Sequence, residues 1–183
     1  MSPILILLIL LAIPILYVIF VYNSMASLKV RIQEAWSQID VQLKRRIDLI
    51  PNLVETVKGY ATHEKEVFET VTNARAALVS AKTPEEAGRA DQMLTGALKT
   101  LFAVAEAYPD LKAQEGFVNL QHEVSDTEDK VAYSRQFYNS VVRDFNSKMV
   151  VFPSNMIANL FGFKAQEFFA AEESERQAVK VAF

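Results

Sequence analysis

The sequence predicts an all-α protein: an N-terminal transmembrane helix running into an antiparallel up-down bundle of four long helices, followed by a short aromatic-rich helix. Three observations carry this. Residues Pro3 to Tyr22 form a run of 20 without a charged or strongly polar side chain. From Leu28 to Met149, apolar residues recur at alternating steps of three and four. Glycine and proline are scarce over the same stretch, and the one short β-like run, Met149-Val150-Val151-Phe152, is too isolated to pair. The chain therefore divides into an anchor and juxtamembrane segment (1–27), a bundle (28–150), and an aromatic-rich segment with an acidic tail (151–183).

At about 1.5 Å per residue the apolar run covers roughly 30 Å, the thickness of a hydrocarbon core. A cleaved signal peptide is the alternative. No Lys or Arg precedes the run, which exceeds the roughly 7–15 apolar residues of such a peptide, and no small-x-small site closes it. An uncleaved anchor is expected, kinked at Pro14, with Tyr17 and Tyr22 at the following interface. Lys29 and Arg31 come directly after the span and no basic side chain before it, which places the C-terminal side in the cytoplasm.

The first bundle helix shows the seam Leu28, Ile32, Trp36, Ile39, Leu43, Ile47 and Ile50, with Trp36 in the core. Pro51 interrupts it, as a kink or as the start of a second helix. The next seam is Leu53, Val57, Tyr60, Glu64, Val67, Val71, Ala74 and Leu78. Thr83-Pro84-Glu85-Glu86 is a helix start, with Thr83 as N-cap and Glu86 closing a capping box. The third seam runs from Ala87 through Ala90, Leu94, Ala97 and Leu101 to Val104 and Tyr108, and ends at Pro109. The fourth helix spans about Leu111 to Val150, with Phe117, Leu120, Val124, Thr127, Val131, Ser134, Tyr138, Val141, Phe145 and Met149 along one face. In an up-down bundle its end returns toward the membrane. There the sequence places Phe152, Leu160, Phe161, Phe163, Phe168 and Phe169, with Pro153-Ser154 as a helix start and Gly162 as a stop. This segment either caps the bundle or forms an interfacial or subunit contact. The acidic end, Glu172, Glu173 and Glu175, is expected to be solvated.

Composition excludes much chemistry. Without cysteine there is no disulfide scaffold, thiolate zinc site or cysteine nucleophile. A net charge of −3 gives no basic surplus for nucleic acid. The five glycines are never closer than eight positions, too sparse for a dinucleotide fingerprint or a phosphate loop. There is no G-x-S-x-G elbow. His63-Glu64 lacks the second histidine of H-E-x-x-H, and neither His63 nor His122 follows a glutamate by three, as a carboxylate-bundle iron site requires. No metal, cofactor or catalytic residue is expected. Glu64, the one charged residue in its seam, calls for a basic partner such as Arg45 or Arg46, or a rim position. Lys44-Arg45-Arg46 would lie about 33 Å from the bilayer edge on a continuous helix. That exceeds a screening length of about 8 Å, so the triplet reads as a solvated or ion-paired face.

Several stretches resemble the LemA family of bacterial membrane proteins. They are Tyr22-Asn23, the run from Ala35 to Arg46, Asp48-Leu49-Ile50-Pro51-Asn52-Leu53-Val54-Glu55 continuing to Tyr60, and Glu106-Ala107-Tyr108-Pro109-Asp110-Leu111-Lys112. Thr127-Glu128-Asp129, Tyr138-Asn139 and Phe152-Pro153-Ser154 also match. Ile47 and Gly116 depart from the family's usual aromatic and asparagine. The resemblance implies a single-pass protein of the cytoplasmic membrane with its N-terminus outside, a cytoplasmic helical bundle and no enzymatic activity. It also implies kinship with a magnetosome-membrane protein and genes that often neighbour a membrane metalloprotease. The matched polar residues Asp40, Arg45, Arg46, Asp48, Asn52 and Glu55 cluster around Pro51, where they are expected to hold an interhelix turn or a subunit contact. The function expected is a self-associating membrane scaffold, because an anchor confining amphipathic helices to two dimensions raises their effective concentration. The alternative is an adaptor for a membrane protease or signalling partner. Membrane lipid and a second copy of the chain are the expected partners.

Overall fold

A computed structural model describes residues 3–169, with the side chains of residues 5–9 left aside. The acidic residues Glu172, Glu173 and Glu175 lie outside the described residues. All regular structure in this range is helical: α1 (Pro3–Lys58), α2 (Lys65–Ser80), α3 (Pro84–Ala105), α4 (Pro109–Lys112), α5 (Glu115–Val150) and α6 (Ser154–Leu160). The residues form two compact units. One contains the chain up to Trp36 with Phe137–Glu167; the other contains Ser37–Gln136 with Phe168 and Phe169.

In the second unit, the latter part of α1 packs with α2, α3, α4 and the first part of α5. The buried positions of α1 here are Ile39, Leu43, Arg46, Ile50, Leu53, Val54 and Val57, spaced by threes and fours. The predicted α3 start is present in full. The Thr83 hydroxyl accepts from the Glu86 amide at 3.2 Å, and the Glu86 carboxylate accepts from the Thr83 amide at 3.3 Å. α3 buries a broad face rich in small residues, including Ala87, Gly88, Ala90 and Ala97, which lets neighbouring helices approach closely. On α5 the predicted seam is closely reproduced: Phe117, Val124, Thr127, Val131, Ser134, Tyr138, Val141 and Phe145 are all buried. Thr127 keeps its place there because its hydroxyl donates to the Val124 carbonyl at 2.7 Å.

The break expected at Pro51 is corrected. α1 continues through Pro51 and ends at Lys58; the chain turns over residues 59–64 instead. A proline inside a helix has no amide to give the carbonyl four residues earlier, here that of Ile47. That carbonyl accepts instead from Nε of Arg75 on α2 at 3.0 Å. Pro51 itself is exposed. A cross-helix donor thus replaces the missing bond, and helix two begins at Lys65, 14 residues after the proline. The second seam keeps Leu53, Val57, Val71, Ala74 and Leu78 in the core and fails only around the turn. Tyr60 is exposed, Ala61 is buried within the turn, and Phe68 takes the core position expected for Val67.

In the first unit, the early part of α1 buries Val21, Met25, Ile32 and Ala35, and the later part of α5 buries Tyr138, Val141, Val142 and Phe145. α6 ends in a Schellman turn. The Phe163 amide donates to the Ala158 carbonyl (3.0 Å) and the Gly162 amide to Asn159 (3.2 Å), with Gly162 at φ +68°. This reversal sends residues 163–167 back along α5. The helix start anticipated at Pro153-Ser154 and the stop anticipated at Gly162 are both present, Ser154 being the first residue of α6.

The Arg75 bond yields a double-mutant test. Arg75→Met is expected to cost about 1–3 kcal/mol, the penalty for orphaning a buried carbonyl. In a Pro51→Ala background the helix amide at position 51 serves the Ile47 carbonyl, and the same change should cost under about 1 kcal/mol. Chemical denaturation followed by circular dichroism in detergent measures both; equal costs in the two backgrounds would refute the account.

Candidate functional site

Two clusters gather the residues the sequence singled out. The first is a polar layer in the core of the second unit. Arg46 falls on a core row of α1 with Ile32, Ile39 and Leu53, at seven-residue spacing, and is fully buried. Its Nη1 donates to Oδ1 of Asp91 at 2.5 Å, and its Nη2 to the Thr95 hydroxyl at 3.0 Å and to Oε2 of Glu128 at 3.4 Å. α3 supplies Asp91 and Thr95 one turn apart on its buried face, and α5 supplies Glu128 beside the buried Thr127. A buried guanidinium is costly unless its donors are met; here both terminal nitrogens are held, while Nε is buried without a partner among the described residues.

The Lys44-Arg45-Arg46 triplet therefore splits three ways. Lys44 is exposed. Arg45 lies on the surface, paired with Glu123 and 3.6 Å from Asp126 of α5. Arg46 is in the core. Asp126 is held below the usual carboxylate range, chiefly by the hydrogen bond from Lys130 at 2.7 Å, with the charges of Lys130 and Arg45 adding.

The other polar residues around Pro51 hold no turn, since none exists there. Asp40, Asp48, Asn52 and Glu55 are exposed along α1. The Asn52 carbonyl accepts from the Thr56 hydroxyl at 2.8 Å, and Glu55 pairs with Lys58 at 3.2 Å. Glu64 is not a core seam residue. It sits half-buried at the N-cap of α2 with no side-chain capping bond, while Arg45 and Arg46 are engaged elsewhere. The helix break at 59–64 removes it from the register that made it look buried. His63 in that turn and His122 on α5 are both exposed, and among the described residues they are not brought together with other ligating residues.

The second cluster is aromatic and belongs to the first unit. Tyr22, at the end of the apolar run, meets Phe161 at 4.8 Å and Phe163 at 5.8 Å between ring centroids, and Phe163 meets Phe145 at 6.0 Å. The returning strap is fixed by polar bonds. The Asn146 amide donates to the Gln166 carbonyl and accepts from the Gln166 amide, each at 2.9 Å, and the Tyr138 hydroxyl donates to the Glu167 carbonyl at 2.9 Å. Burial, and then the nearby Glu167 charge, push the Tyr138 phenol up to about 12. Its ring also packs on half-buried Trp36 at 5.9 Å.

α6 has two faces. Ser154, Ile157 and Ala158 are buried, while Met156 and Leu160 point outward with Phe152 and Val150, Leu160 being 76% exposed. The aromatic segment thus both caps a core and presents an apolar outer surface. Phe168 is half exposed, whereas Phe169, expected at the interface, is buried within the second unit. From Leu10 to Phe20 the apolar run of α1 is largely uncovered: Leu10, Leu11, Ile13, Ile15, Leu16, Ile19 and Phe20 are each 51–70% exposed. Tyr17 and Tyr22 follow it partly exposed. A helix that is apolar all round needs lipid or protein around it. α1 is the one helix among the described residues long and apolar enough to cross a membrane.

Sequence reasoning missed the Arg46 layer. The signal was present in the seven-residue row through position 46 and in Asp91 and Thr95 at i, i+4 beside the alanine-leucine stripe.

Known proteins were compared with this chain. A family model described as the LemA family matches residues 35–183. A protein LemA from Metamycoplasma hominis is 31% identical over 165 residues, covering 86% of this chain and 74% of its own length. Magnetosome protein MamQ 2 of Paramagnetospirillum magneticum is 25% identical over 174 residues, and magnetosome protein MamQ of Magnetospirillum gryphiswaldense 24% over the same length. Each of these alignments covers 81% of this chain, which spans 64% of the magnetosome proteins.

Two outcomes follow from the clusters. Arg46→Met alone is expected to lose about 3–5 kcal/mol by breaking the buried pair with Asp91, and Arg46→Met with Asp91→Leu to recover most of it; additive losses in denaturation would contradict a coupled pair. For Tyr138, the unfolded phenol gives up its proton near the ordinary value of 10.0, and the folded one holds it to about 12. The folded state therefore binds more protons in that window, so its stabilisation is complete below pH 10 and is lost as pH rises toward 12. Denaturation midpoints of the wild type should fall across pH 10–12 more steeply than those of Tyr138→Phe.

Proposed function

The chain belongs to the LemA family, and on that premise we propose that it is a non-enzymatic, single-pass scaffold of the bacterial cytoplasmic membrane. Its N-terminus lies outside, its helical body lies in the cytoplasm, and copies associate laterally. The observation that carries the reading is the uncovered apolar run of α1 ending at Tyr22, against which the strap of the same unit packs. Exposed Phe152, Met156 and Leu160 follow on that unit as a second apolar surface. Aromatic and aliphatic side chains of this kind bind at the headgroup boundary and add to what a single span supplies. Lys29 and Arg31, directly after the span, support the orientation.

Self-association cannot use the seams, because they are occupied within the chain. What remains outside in the second unit includes Val41 on α1, which lines a shallow groove with Ser37, Gln38 and Ser134, and Tyr133 on α5, both largely exposed. These are modest contacts, and confinement to a bilayer makes modest contacts sufficient by raising local concentration.

The absence of cysteine makes orientation directly testable. Lys99→Cys, at an exposed position on α3, is expected to resist a membrane-impermeant maleimide in intact spheroplasts and to react after permeabilisation. Labelling in intact spheroplasts would reverse the topology. For assembly, native mass measurement in mild detergent should give multimers that dissociate in Val41→Glu/Tyr133→Glu. Monomers alone at high density would overturn the scaffold, and stoichiometric recovery of one dissimilar membrane protein would favour an adaptor.

A further inference from the structure

Between α1 and α5 of the first unit, just past the apolar run, lies an open groove of about 670 Å³. Asn23, Ser24 and Ser27 of α1 give it a hydroxyl- and amide-rich wall, Ser147 of α5 lines it with a hydroxyl whose proton goes to the Arg143 carbonyl (2.8 Å), and Phe20 forms an apolar lip. Two cations line it, Arg31 from α1 and Lys148 from α5. Neither makes an ion pair among the described residues. The one acidic lining residue, Asp144, lies 3.8 Å from Nε of Arg143, which offsets its charge. The groove is therefore net positive and offers donors at a height fixed by the helix.

That height is informative. Arg31 lies nine residues beyond Tyr22, about 13 Å along the helix. The headgroup layers add roughly 5–8 Å on each side of the hydrocarbon core. Every other α1 residue lining the groove precedes Arg31 in sequence, so its side chain leans back toward the apolar run, as the Cα–Cβ direction of a helix dictates. The long stem brings the guanidinium toward the headgroup layer and leaves the charge wet. Phe20, largely exposed, continues the groove into the uncovered face of the run. A free phosphate would use the cations and leave that apolar lip idle; a phospholipid uses both.

We propose that this groove holds an anionic phospholipid. Its phosphate lies among Arg31, Lys148 and the serine hydroxyls, and its acyl chains follow the apolar face that ends at Phe20. The inference rests on the membrane-anchored reading above and names the lipid class which that anchor selects.

The test uses the full chain reconstituted into vesicles of phosphatidylcholine with one quarter phosphatidylglycerol, then extracted gently for native mass measurement of retained lipid. The wild type is expected to retain phosphatidylglycerol over phosphatidylcholine. Arg31→Gln/Lys148→Gln should lower that preference about tenfold or more, the order expected for two basic groups at a headgroup surface. The charge-matched Lys44→Gln/Lys99→Gln, at exposed positions in the second unit, should leave it unchanged. Circular dichroism confirms that each variant is folded. Equal retention of the two lipids by the wild type, or an unchanged preference in Arg31→Gln/Lys148→Gln, overturns the proposal. Displacement of the lipid by millimolar inorganic phosphate also overturns it, by showing a site for a soluble anion. Alkaline carbonate washing of the same vesicles separates the two readings: release of the protein defeats the anchor itself, whereas retention without lipid preference defeats only the groove.

Discussion

The hydrogen bond from Arg75 to the Ile47 carbonyl is the constraint on which the second unit depends. Pro51 removes one helical bond, and an unanswered carbonyl at that point would favour a kink or an end to the helix. With the carbonyl satisfied from α2, the last two turns of α1 continue to Lys58 and carry Leu53, Val54 and Val57 into the core. Arg46 precedes the bridged carbonyl by one residue on the same helix, and its guanidinium meets Asp91 and Thr95 of α3.

What the sequence made legible follows from how each element is specified. The α3 cap, the α6 stop at Gly162 and the α5 face were readable because each is fixed locally, by a capping box, a positive φ or one unbroken period. Pro51 was misread because its compensation comes from 24 residues downstream, and no local rule reports a donor on another helix. Glu64 followed from that error: a seam continued through a turn assigns false core positions within the turn, while Val71, Ala74 and Leu78 beyond it are buried as read. Arg46 was hidden for a different reason. A pattern search that admits only apolar residues steps over a buried cation and takes its neighbour Ile47, which is only half-buried.

The Arg46–Asp91 pair bears on why a bundle keeps charge in its core. Apolar replacements of similar volume often match or exceed the stability of such a pair. Its use lies in discrimination. A single polar residue on a core row favours the register in which its partner faces it and penalises every slip that buries it alone. α1 has the repeating three-four spacing along which helices slide, and α3 is rich in small residues that accept many packings. Arg46 and Asp91 remove that freedom at the cost of some stability.

The same logic separates what is internal from what is left for partners. Seams read from sequence as surfaces for association are closed within the chain, and the charged residue with the deepest burial serves that closure. The first unit leaves two apolar surfaces open: the run of α1, and Phe152, Met156 and Leu160 around α6. They sit on either side of the Tyr22–Phe161–Phe163 contact, where the strap is pinned by Asn146 and Tyr138. The strap's polar bonds go to main-chain groups of residues 166 and 167, so they hold its path whatever side chains those positions carry. A chain that fastens its returning segment by backbone, and leaves its greasy side chains outward, has been shaped for a lipid boundary more than for a core.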